Sequence, residues 1–355
     1  MAFKIGNKFI GDGNPCFITY EAGPTHDGLE SAKKLVELAA AAGADAVKFQ
    51  IFDANKLVKD RSVQFSYEVL LSRETGETEK VSESLYEILK RRELTRNEWL
   101  ELKAYSDQLG LAFFATVGDE QDIALLVEMG CHSIKIASAD VNHFPLLRQA
   151  ARTGMCIQLD TGSATLGEIE KAVDVIRSEG NENIIIHNCP SGYPARLESI
   201  NLNMLKTLKA MFGVPVAYSD HTPGAEMDIA AVAIGANLVE KTITFDRTTR
   251  SVEHIMSLEP NDMRHFVQTI RDVETALGDA RRALTPLELE KRKNIRRSVV
   301  LSKDVAAGQT LSEAEVYFSR PGYGLSPEEY ESIGDHRFSE PHAAGTVVHS
   351  FMLKP

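Results

Sequence analysis

The sequence has few of the features that mark membrane proteins or disulfide-rich proteins. It contains only four cysteines and one tryptophan, and no apolar run is long enough to span a bilayer. The cysteines, at positions 16, 131, 156 and 189, lie far apart and form no CxxC pair, so we expect reduced core thiols rather than zinc ligands or disulfides. The N-terminal residues lack the apolar core of a signal peptide, which predicts a cytoplasmic location.

Basic residues are outnumbered by acidic ones, 39 to 51. The formal net charge is −12, which argues against a general nucleic-acid binder. No glycine-rich phosphate loop of the Walker or dinucleotide type is present, and the GDG run at residues 11–13 is not one. Against this acidic background, a lysine at the end of a predicted strand is informative, because it indicates a specific anion site.

Short apolar runs alternate with segments of helical periodicity along most of the chain. The predicted strands, each followed by a helix, are residues 17–21, 46–51, 112–116, 133–138, 155–159, 183–187, 214–218 and 237–242. Eight such units predict an α/β fold, a closed (β/α)8 TIM barrel, over residues 1–283. An open doubly wound sheet is the alternative.

Two segments depart from this alternation. Residues 52–92 form a charged insertion with scattered aromatic residues, which predict a folded lid or rim rather than disorder. After a charged linker at 284–297, residues 298–355 have the strand and turn pattern of a separate small domain. A unit of this size has a marginal core, so we expect it to dock on a partner surface.

Polar side chains recur at the C-terminal ends of the predicted strands, which meet at one face of a barrel. The set is Glu21, Lys48, Gln50, Thr116, Lys135, Ser138, Asp140, Asp160, His187, Ser219, Asp220, His221, Glu240 and Lys241. We expect some of these residues to face outward or to form structural ion pairs. The remainder suits a phosphorylated or carboxylated ligand together with a polyhydroxy one.

Several of these residues belong to motifs that resemble the sialic acid synthase family, whose members condense phosphoenolpyruvate with an N-acetylated amino sugar. The motifs are residues 21–28 (EAGPTHDG), 42–50 (AGADAVKFQ), 135–138 (KIAS), 161–165 (TGSAT) and 219–222 (SDHT). In the predicted small domain, residues 297–298 (RS), 303–305 (KDV) and 320–325 (RPGYGL) resemble the family's antifreeze-like (SAF) domain.

The resemblance implies a role for each residue. Lys48 and Lys135 are the expected catalytic lysines, which bind phosphoenolpyruvate together with Gln50, Thr116, Ser138 and Ser219, and Glu21 is the candidate acid–base or hydroxyl-orienting group. Asp140, Asp160 and Glu240 complete the expected substrate site. Arg320 is expected to contact the sugar from the other subunit of a domain-swapped homodimer. His221 is the expected ligand of a divalent metal, Mn²⁺ or Mg²⁺, that polarises the acceptor aldehyde.

The sequence departs from the family pattern at the metal site. The second metal ligand of the family is the histidine of a Glu-Lys-His-Phe run, and here residues 240–243 are EKTI, with Thr242 at the histidine position. A threonine hydroxyl is a poor substitute for an imidazole. Oxygen atoms of Asp160, Asp220 or Glu253 are possible replacements. The leading hypothesis is a sialic acid synthase-like transferase, and the alternative is a non-catalytic sugar or phosphosugar binder that has lost its metal.

Overall fold

Eight parallel strands close into a barrel in the computed structural model, which describes residues 2–355. The strands are β1 (Phe17–Glu21), β2 (Ala46–Gln50), β3 (Ala112–Thr116), β4 (Ser133–Ile136), β5 (Cys156–Asp160), β6 (Ile184–Asn188), β7 (Val216–Asp220) and β8 (Leu238–Thr242). Strand β8 pairs with β1, which closes the sheet. The predicted TIM barrel is therefore confirmed, and the open doubly wound alternative is excluded.

The outer layer consists of eight helices that follow these strands. They are α1 (Leu29–Ala42), α2 (Arg96–Gln108), α3 (Glu120–Glu128), α4 (Phe144–Arg152), α5 (Leu166–Ser178), α6 (Met204–Phe212), α7 (Glu226–Ala233) and α8 (Pro260–Leu277). Capping boxes at Thr95, Asp119 and Thr165 fix where α2, α3 and α5 begin, because they satisfy backbone N–H groups that the helix leaves free. The main core lies between this layer and the sheet.

The barrel interior is apolar at one end and polar at the other. Phe17, Phe114, Ile185 and Leu238 form part of a small apolar cluster with the N-terminal hairpin of Phe3–Ile5 and Lys8–Ile10. This hairpin is not among the elements predicted from the sequence. It covers the apolar end, so the polar residues collect at the opposite end, where the strands finish.

The insertion at 52–92 is folded. It contains the short helix Ala54–Leu57, the antiparallel hairpin of Gln64–Leu70 and Thr78–Ser84, and the helix Leu85–Lys90. Tyr67, Val69 and Ile88 pack with Val252, which lies in the loop between β8 and α8. The insertion therefore supports that loop.

Contacts divide the chain into a larger unit that ends at Gly278 and a smaller unit, Asp279–Pro355. The smaller unit has the helices Pro286–Ile295 and Pro327–Ser332 and the strand pairs Ser298–Leu301 with Val316–Ser319 and Arg337–Phe338 with Leu353–Lys354. It has its own apolar core. The predicted linker at 284–297 contains the helix Pro286–Ile295 and falls within this unit.

All four cysteines are buried and unpaired. No helix within residues 2–355 combines the length and the apolar character needed to cross a bilayer.

Candidate active site

Two buried lysines and a glutamate form the floor of the polar end of the barrel. Lys48 on β2 and Lys135 on β4 share the carboxylate of Glu240 on β8, with Nζ–Oε1 and Nζ–Oε2 distances of 2.8 and 2.7 Å. Burial alone would raise the pKa of Glu240, but the two ammonium groups outweigh it and hold that pKa well below its usual value. Glu240 is therefore an anion that fixes the spacing of both lysines.

The ammonium group of Lys135 has three acceptors for its three protons. Besides Glu240, its Nζ lies 3.1 Å from Oδ1 of Asp160 and 3.3 Å from Nδ1 of His187. Nε2 of His187 lies 3.0 Å from Oε1 of Gln158, whose amide nitrogen donates to Ser133. Because the Gln158 oxygen can only accept, Nε2 of His187 carries the proton, and Nδ1 accepts from Lys135. Burial, together with Lys135, lowers the pKa of His187 well below its usual value.

Lys48 has a matching environment on the other side of Glu240. It forms an ion pair with Glu21 on β1 and lies 3.5 Å from the hydroxyl of Thr116. The other carboxylate oxygen of Glu21 accepts a hydrogen bond of 2.6 Å from the backbone N–H of Gly23. Burial raises the pKa of Glu21, and the same cause raises the pKa of Asp160, although the lysines oppose it in both cases. In the absence of an external anion, protein carboxylates occupy both lysines.

The strand register explains this arrangement. Glu21 is paired with Lys48, Thr116 with Lys135, and Ser219 with Glu240 on neighbouring strands. The hydroxyl of Ser219 donates to Oε1 of Glu240 over 3.0 Å. Side chains separated by two residues share a face of a strand, so the parity of each position determines whether it reaches the interior.

A cavity of about 280 Å³ opens above this floor. Every predicted site residue of the barrel lines this cavity except Lys135, which lies beneath it. The lining residues that were predicted are Glu21, Lys48, Gln50, Thr116, Ser138, Asp140, Asp160, Ser219, His221 and Glu240. Ser138 and Asp140 lie in a 3-10 turn after β4. An added Cβ at Gly162 would lie 2.5 Å from the Ser138 hydroxyl, so glycine is required there for Ser138 to keep its position. Burial raises the pKa of Asp140.

Lys241 does not join the site, although it appears in the strand-end set. Its side chain pairs with Asp220 and lies 3.6 Å from Asp228, and all three side chains are fully buried. Each of the three lysines at these strand ends follows a glycine that ends the preceding helix segment: Lys48 and Lys135 lie five residues after Gly43 and Gly130, whereas Lys241 lies six residues after Gly235. Because this spacing is one residue longer, the side chain of Lys241 points to the outer face of the barrel and that of Glu240 points inward.

His221 follows β7 and lines the cavity. Its Nδ1 lies 3.0 Å from the carbonyl oxygen of Pro190, and its ring lies against Tyr193 with a centroid distance of 4.6 Å. Nδ1 therefore donates to that carbonyl, and Nε2 is the acceptor. Burial lowers the pKa of His221 to about 4, so the ring is neutral at physiological pH.

The residues around His221 do not fit a resident divalent metal. Thr242 occupies the position beside Glu21 on the neighbouring strand. Asp160 and Asp220, two of the possible replacement ligands, are each paired with a lysine. Within residues 2–355, no group of three histidine, cysteine, aspartate or glutamate side chains is arranged to hold a metal ion. One imidazole is too small a donor set for Mn²⁺ or Mg²⁺.

Two residues of this region, Gln158 and Tyr193, were not predicted as site residues. Gln158 orients His187 from beneath the floor. Tyr193, in the loop after β6, covers His221, and the run of Pro, Gly and Tyr at residues 190–194 was the available signal. Glu253, which the sequence offers as a possible replacement ligand, lines the cavity from the loop between β8 and α8. Arg320, by contrast, lies on the smaller unit after the strand Val316–Ser319, with an exposed side chain.

Comparison with known proteins identifies the family. The sequence profile of the NeuB family matches residues 35–282. The chain belongs to the NeuB family. The N,N'-diacetyllegionaminic acid synthase of Legionella pneumophila is 36% identical over 348 residues, which cover 97% of this chain and 96% of that protein. The pseudaminic acid synthase of Helicobacter pylori is 32% identical over 267 residues, which cover 75% of this chain and 78% of that protein.

A solved NeuB relative has the same architecture. The N-acetylneuraminic acid (sialic acid) synthetase of Leptospira borgpetersenii, determined in complex with citrate, is 32% identical with a TM-score of 0.70, covering 82% of this chain and 95% of that chain. The resemblance to the sialic acid synthase family is thus confirmed, and its named relatives are synthases of nonulosonic acids. They do not favour the alternative of a non-catalytic binder. The resemblance of residues 298–355 to an SAF domain stays a prediction.

Proposed function

We propose that this NeuB family protein condenses phosphoenolpyruvate with an N-acetylated amino sugar in its aldehyde form, similar to N-acetylmannosamine, and releases phosphate and a sialic acid-type nonulosonate. One observation carries the proposal. Two buried lysines, Lys48 and Lys135, are held on opposite sides of Glu240 at the floor of a cavity rich in hydroxyl groups. A small molecule with a carboxylate and a phosphate matches such a pair of cations.

The carboxylates already on the lysines indicate how phosphoenolpyruvate enters. Glu21 accepts from Lys48, and Asp160 accepts from Lys135. Because the pKa values of these two carboxyl groups are raised, they are the groups that protonate most easily when a further anion arrives. Glu240 stays ionised and keeps the lysines in place. The incoming carboxylate and phosphate then accept hydrogen bonds from Lys48 and Lys135 in place of Glu21 and Asp160, while Gln50, Thr116, Ser138 and Ser219 supply directional hydrogen bonds.

The reaction follows from the placement of the two substrates. C3 of phosphoenolpyruvate attacks the aldehyde carbon, water adds to C2, and phosphate leaves by cleavage of the C–O bond. Glu21 lies between Lys48 and Thr242 in register and next to the bound anion, which suits it to orient the hydroxyl groups or to move a proton.

Apolar and aromatic side chains also line the cavity. Tyr193, Leu89 and Phe52 line it alongside His221 and Asp140. An aromatic face with a few polar groups suits a sugar that presents both C–H groups and hydroxyls. Leu89 and Phe52 belong to the 52–92 insertion, so the insertion supplies part of the acceptor wall.

Arg320 belongs to this proposal as a residue supplied by a second copy of the chain. A guanidinium makes directional hydrogen bonds to sugar or carboxylate oxygens, and Arg320 is exposed. Lys135→Met and Arg320→Ala should each abolish turnover alone, and mixing the two variants under refolding conditions should restore part of it. Recovery requires one complete site from two defective chains. Two inactive variants that stay inactive in a verified mixed dimer would refute the shared site.

The test of the function is direct. Purified protein is incubated with phosphoenolpyruvate and a panel of N-acetylated amino sugars, including N-acetylmannosamine and the 2,4-diacetamido sugars, and phosphate release and product mass are measured. We expect release that depends on one or a few acceptors and is absent in Lys48→Met. Tight ligand binding without release for every acceptor would instead support the non-catalytic alternative.

A further inference from the structure

Lys241 is a fully buried lysine to which the proposed function gives no role. Its side chain points away from the cavity and lies near Asp228 of α7, so it occupies the layer between the barrel and its helices. A lysine is seldom fully buried unless acceptors surround its ammonium group. The acceptors around Lys241 therefore show what this residue does for the site.

Lys241 links β8 to the turn that follows β7. Its Nζ forms an ion pair with the Asp220 carboxylate and donates a hydrogen bond to the backbone carbonyl of Thr222. Asp228 lies farther away, with its Oδ2 3.6 Å from Nζ, which is too long for a direct hydrogen bond. The two close acceptors of Lys241 thus stand immediately before and immediately after His221 in the chain.

The Asp220 carboxylate closes the same turn from within. Its Oδ1 accepts from the backbone N–H of Thr222 over 3.0 Å and from the Thr222 hydroxyl over 2.8 Å. The same oxygen accepts from the Tyr218 hydroxyl over 2.8 Å. All of these side chains are buried, where hydrogen bonds are strong and a broken one is costly. Lys241, Asp220 and Thr222 therefore form a clamp that gives the turn one favourable conformation.

His221 is held from a second direction by the loop after β6. Its backbone carbonyl accepts from the N–H of Ala195 over 2.8 Å, and its Nδ1 donates to the carbonyl of Pro190 over 3.0 Å. Nε2 is therefore the ring nitrogen that can accept from a ligand, and the side chain lines the cavity. The clamp fixes the backbone on both sides of His221 and the loop fixes its ring, so the direction of Nε2 depends on both.

We propose that Lys241 is a positioning residue, which holds from outside the barrel the turn through which His221 presents Nε2 to the acceptor sugar. The inference rests on the proposed function, in which the sugar occupies this cavity together with phosphoenolpyruvate. A group that meets a substrate must be held precisely, because a misplacement of roughly 1 Å can lower the rate about 10²-fold. Lys48, Glu240 and Lys135, which form the floor, are not part of the clamp, so its loss should affect the sugar step more than phosphoenolpyruvate binding.

The test compares Lys241→Met with Asp228→Asn, a matched variant of the same buried cluster that lies outside the clamp. Lys241→Met leaves the Asp220 carboxylate without its cation, so its Tm should fall by on the order of 10 °C. Its kcat for phosphate release should fall about 10²-fold, whereas phosphoenolpyruvate binding, measured by calorimetry, should stay as in wild type. Asp228→Asn should keep the wild-type kcat even if its Tm falls.

A double variant separates positioning from stability. Lys241→Met combined with Asp220→Asn buries no unpaired charge in the turn, so part of the lost Tm should return. The clamp is still absent, so kcat should stay at the level of Lys241→Met. Recovery of kcat together with Tm would show that Lys241 only stabilises the fold and would overturn the inference, as would a loss of phosphoenolpyruvate affinity as large as the loss in kcat.

A second measurement does not depend on turnover. In protein with ¹⁵N-labelled histidine, the NMR signals of His221, assigned with His221→Gln, should show the Nδ1–H tautomer in wild type and in Asp228→Asn. Lys241→Met should lose this single tautomer. A wild-type His221 spectrum or a wild-type kcat in Lys241→Met would overturn the inference and leave the proposed function standing. Absence of phosphate release from wild type with every acceptor would overturn the proposed function, and the His221 spectrum would still decide whether Lys241 holds the ring.

Discussion

Replacement of Lys135 by methionine is the perturbation whose consequences the structure defines best. Methionine preserves the length of the side chain but removes the ammonium group, which contacts Glu240, Asp160 and His187. Lys135 is fully buried, so water cannot replace the lost cation. Breaking a buried ion pair by removing one partner costs about 3–5 kcal/mol. We expect Lys135→Met to lose about that much stability at pH 7.

The loss should depend on pH in a defined direction. Without Lys135, the pKa of Asp160 rises further above its value in the unfolded chain. A carboxyl with a raised folded-state pKa contributes stability fully below its unfolded pKa, near 4, and the contribution is lost as the pH rises through the folded pKa. Lys135→Met should therefore approach wild-type stability as the pH falls towards 5, and adding Asp160→Asn should restore part of the stability at pH 7.

The same variant tests the anion site. One charged hydrogen bond contributes about 1.5–3 kcal/mol, so calorimetry should show phosphoenolpyruvate binding about 10- to 150-fold more weakly. Unfolding is followed by circular dichroism at pH 5, 6 and 7, with Lys34→Met, an exposed lysine on α1, as the control. A Lys135→Met protein that unfolds within about 1 kcal/mol of the control at pH 7 and binds phosphoenolpyruvate normally would refute this reasoning.

Three further predictions concern the same end of the barrel. Phosphoenolpyruvate binding should take up protons, because the pKa values of Glu21 and Asp160 are raised. Calorimetry in buffers of different ionisation enthalpy should detect this proton uptake, and the affinity for phosphoenolpyruvate should fall as the pH rises. Glu253→Gln should be more stable than wild type at pH 8, by on the order of 1–3 kcal/mol. The difference should vanish near pH 4, where the wild-type carboxyl is protonated in both the folded and the unfolded protein. A stability difference that stays constant between pH 4 and pH 8 would contradict the raised pKa of Glu253. Gly23→Ala should lower kcat at least 10-fold, because its Cβ would lie 2.7 Å from Oε1 of Glu21, whereas Gly167→Ala, whose Cβ meets no atom within 4 Å, should not.

The barrel and its floor could be predicted because they depend on local sequence. A period of two residues within strands and of 3.6 within helices identifies the elements, and parallel strands bring their ends together. Lys48, Lys135 and Glu240 therefore converge without any information about distant contacts. Lys241 was wrongly placed in the strand-end set, although it follows its helix-ending glycine by six residues and Lys48 and Lys135 follow theirs by five, a shift that turns its side chain to the other face of the strand.

The remainder of the site depends on contacts that no local pattern encodes. Arg91 and Arg92 contact the loop that carries Glu253 through the hydroxyl of Ser251, which lies about 160 residues further along the chain. Tyr193 reaches His221 through an irregular loop. The N-terminal hairpin was missed because its two strands have three residues each. Loops and short strands take their conformation from their neighbours, so their placement required the structure.

The most direct test of the account follows the bridging oxygen of phosphoenolpyruvate. With that oxygen labelled as ¹⁸O, the full chain and a reactive N-acetylated amino sugar should yield inorganic phosphate that carries the label, together with a nonulosonate equal in mass to the acceptor plus pyruvate. Both products should be absent with Lys48→Met. Unlabelled phosphate, or no phosphate with any acceptor, would contradict condensation by C–O cleavage at the site formed by Lys48, Glu240 and Lys135.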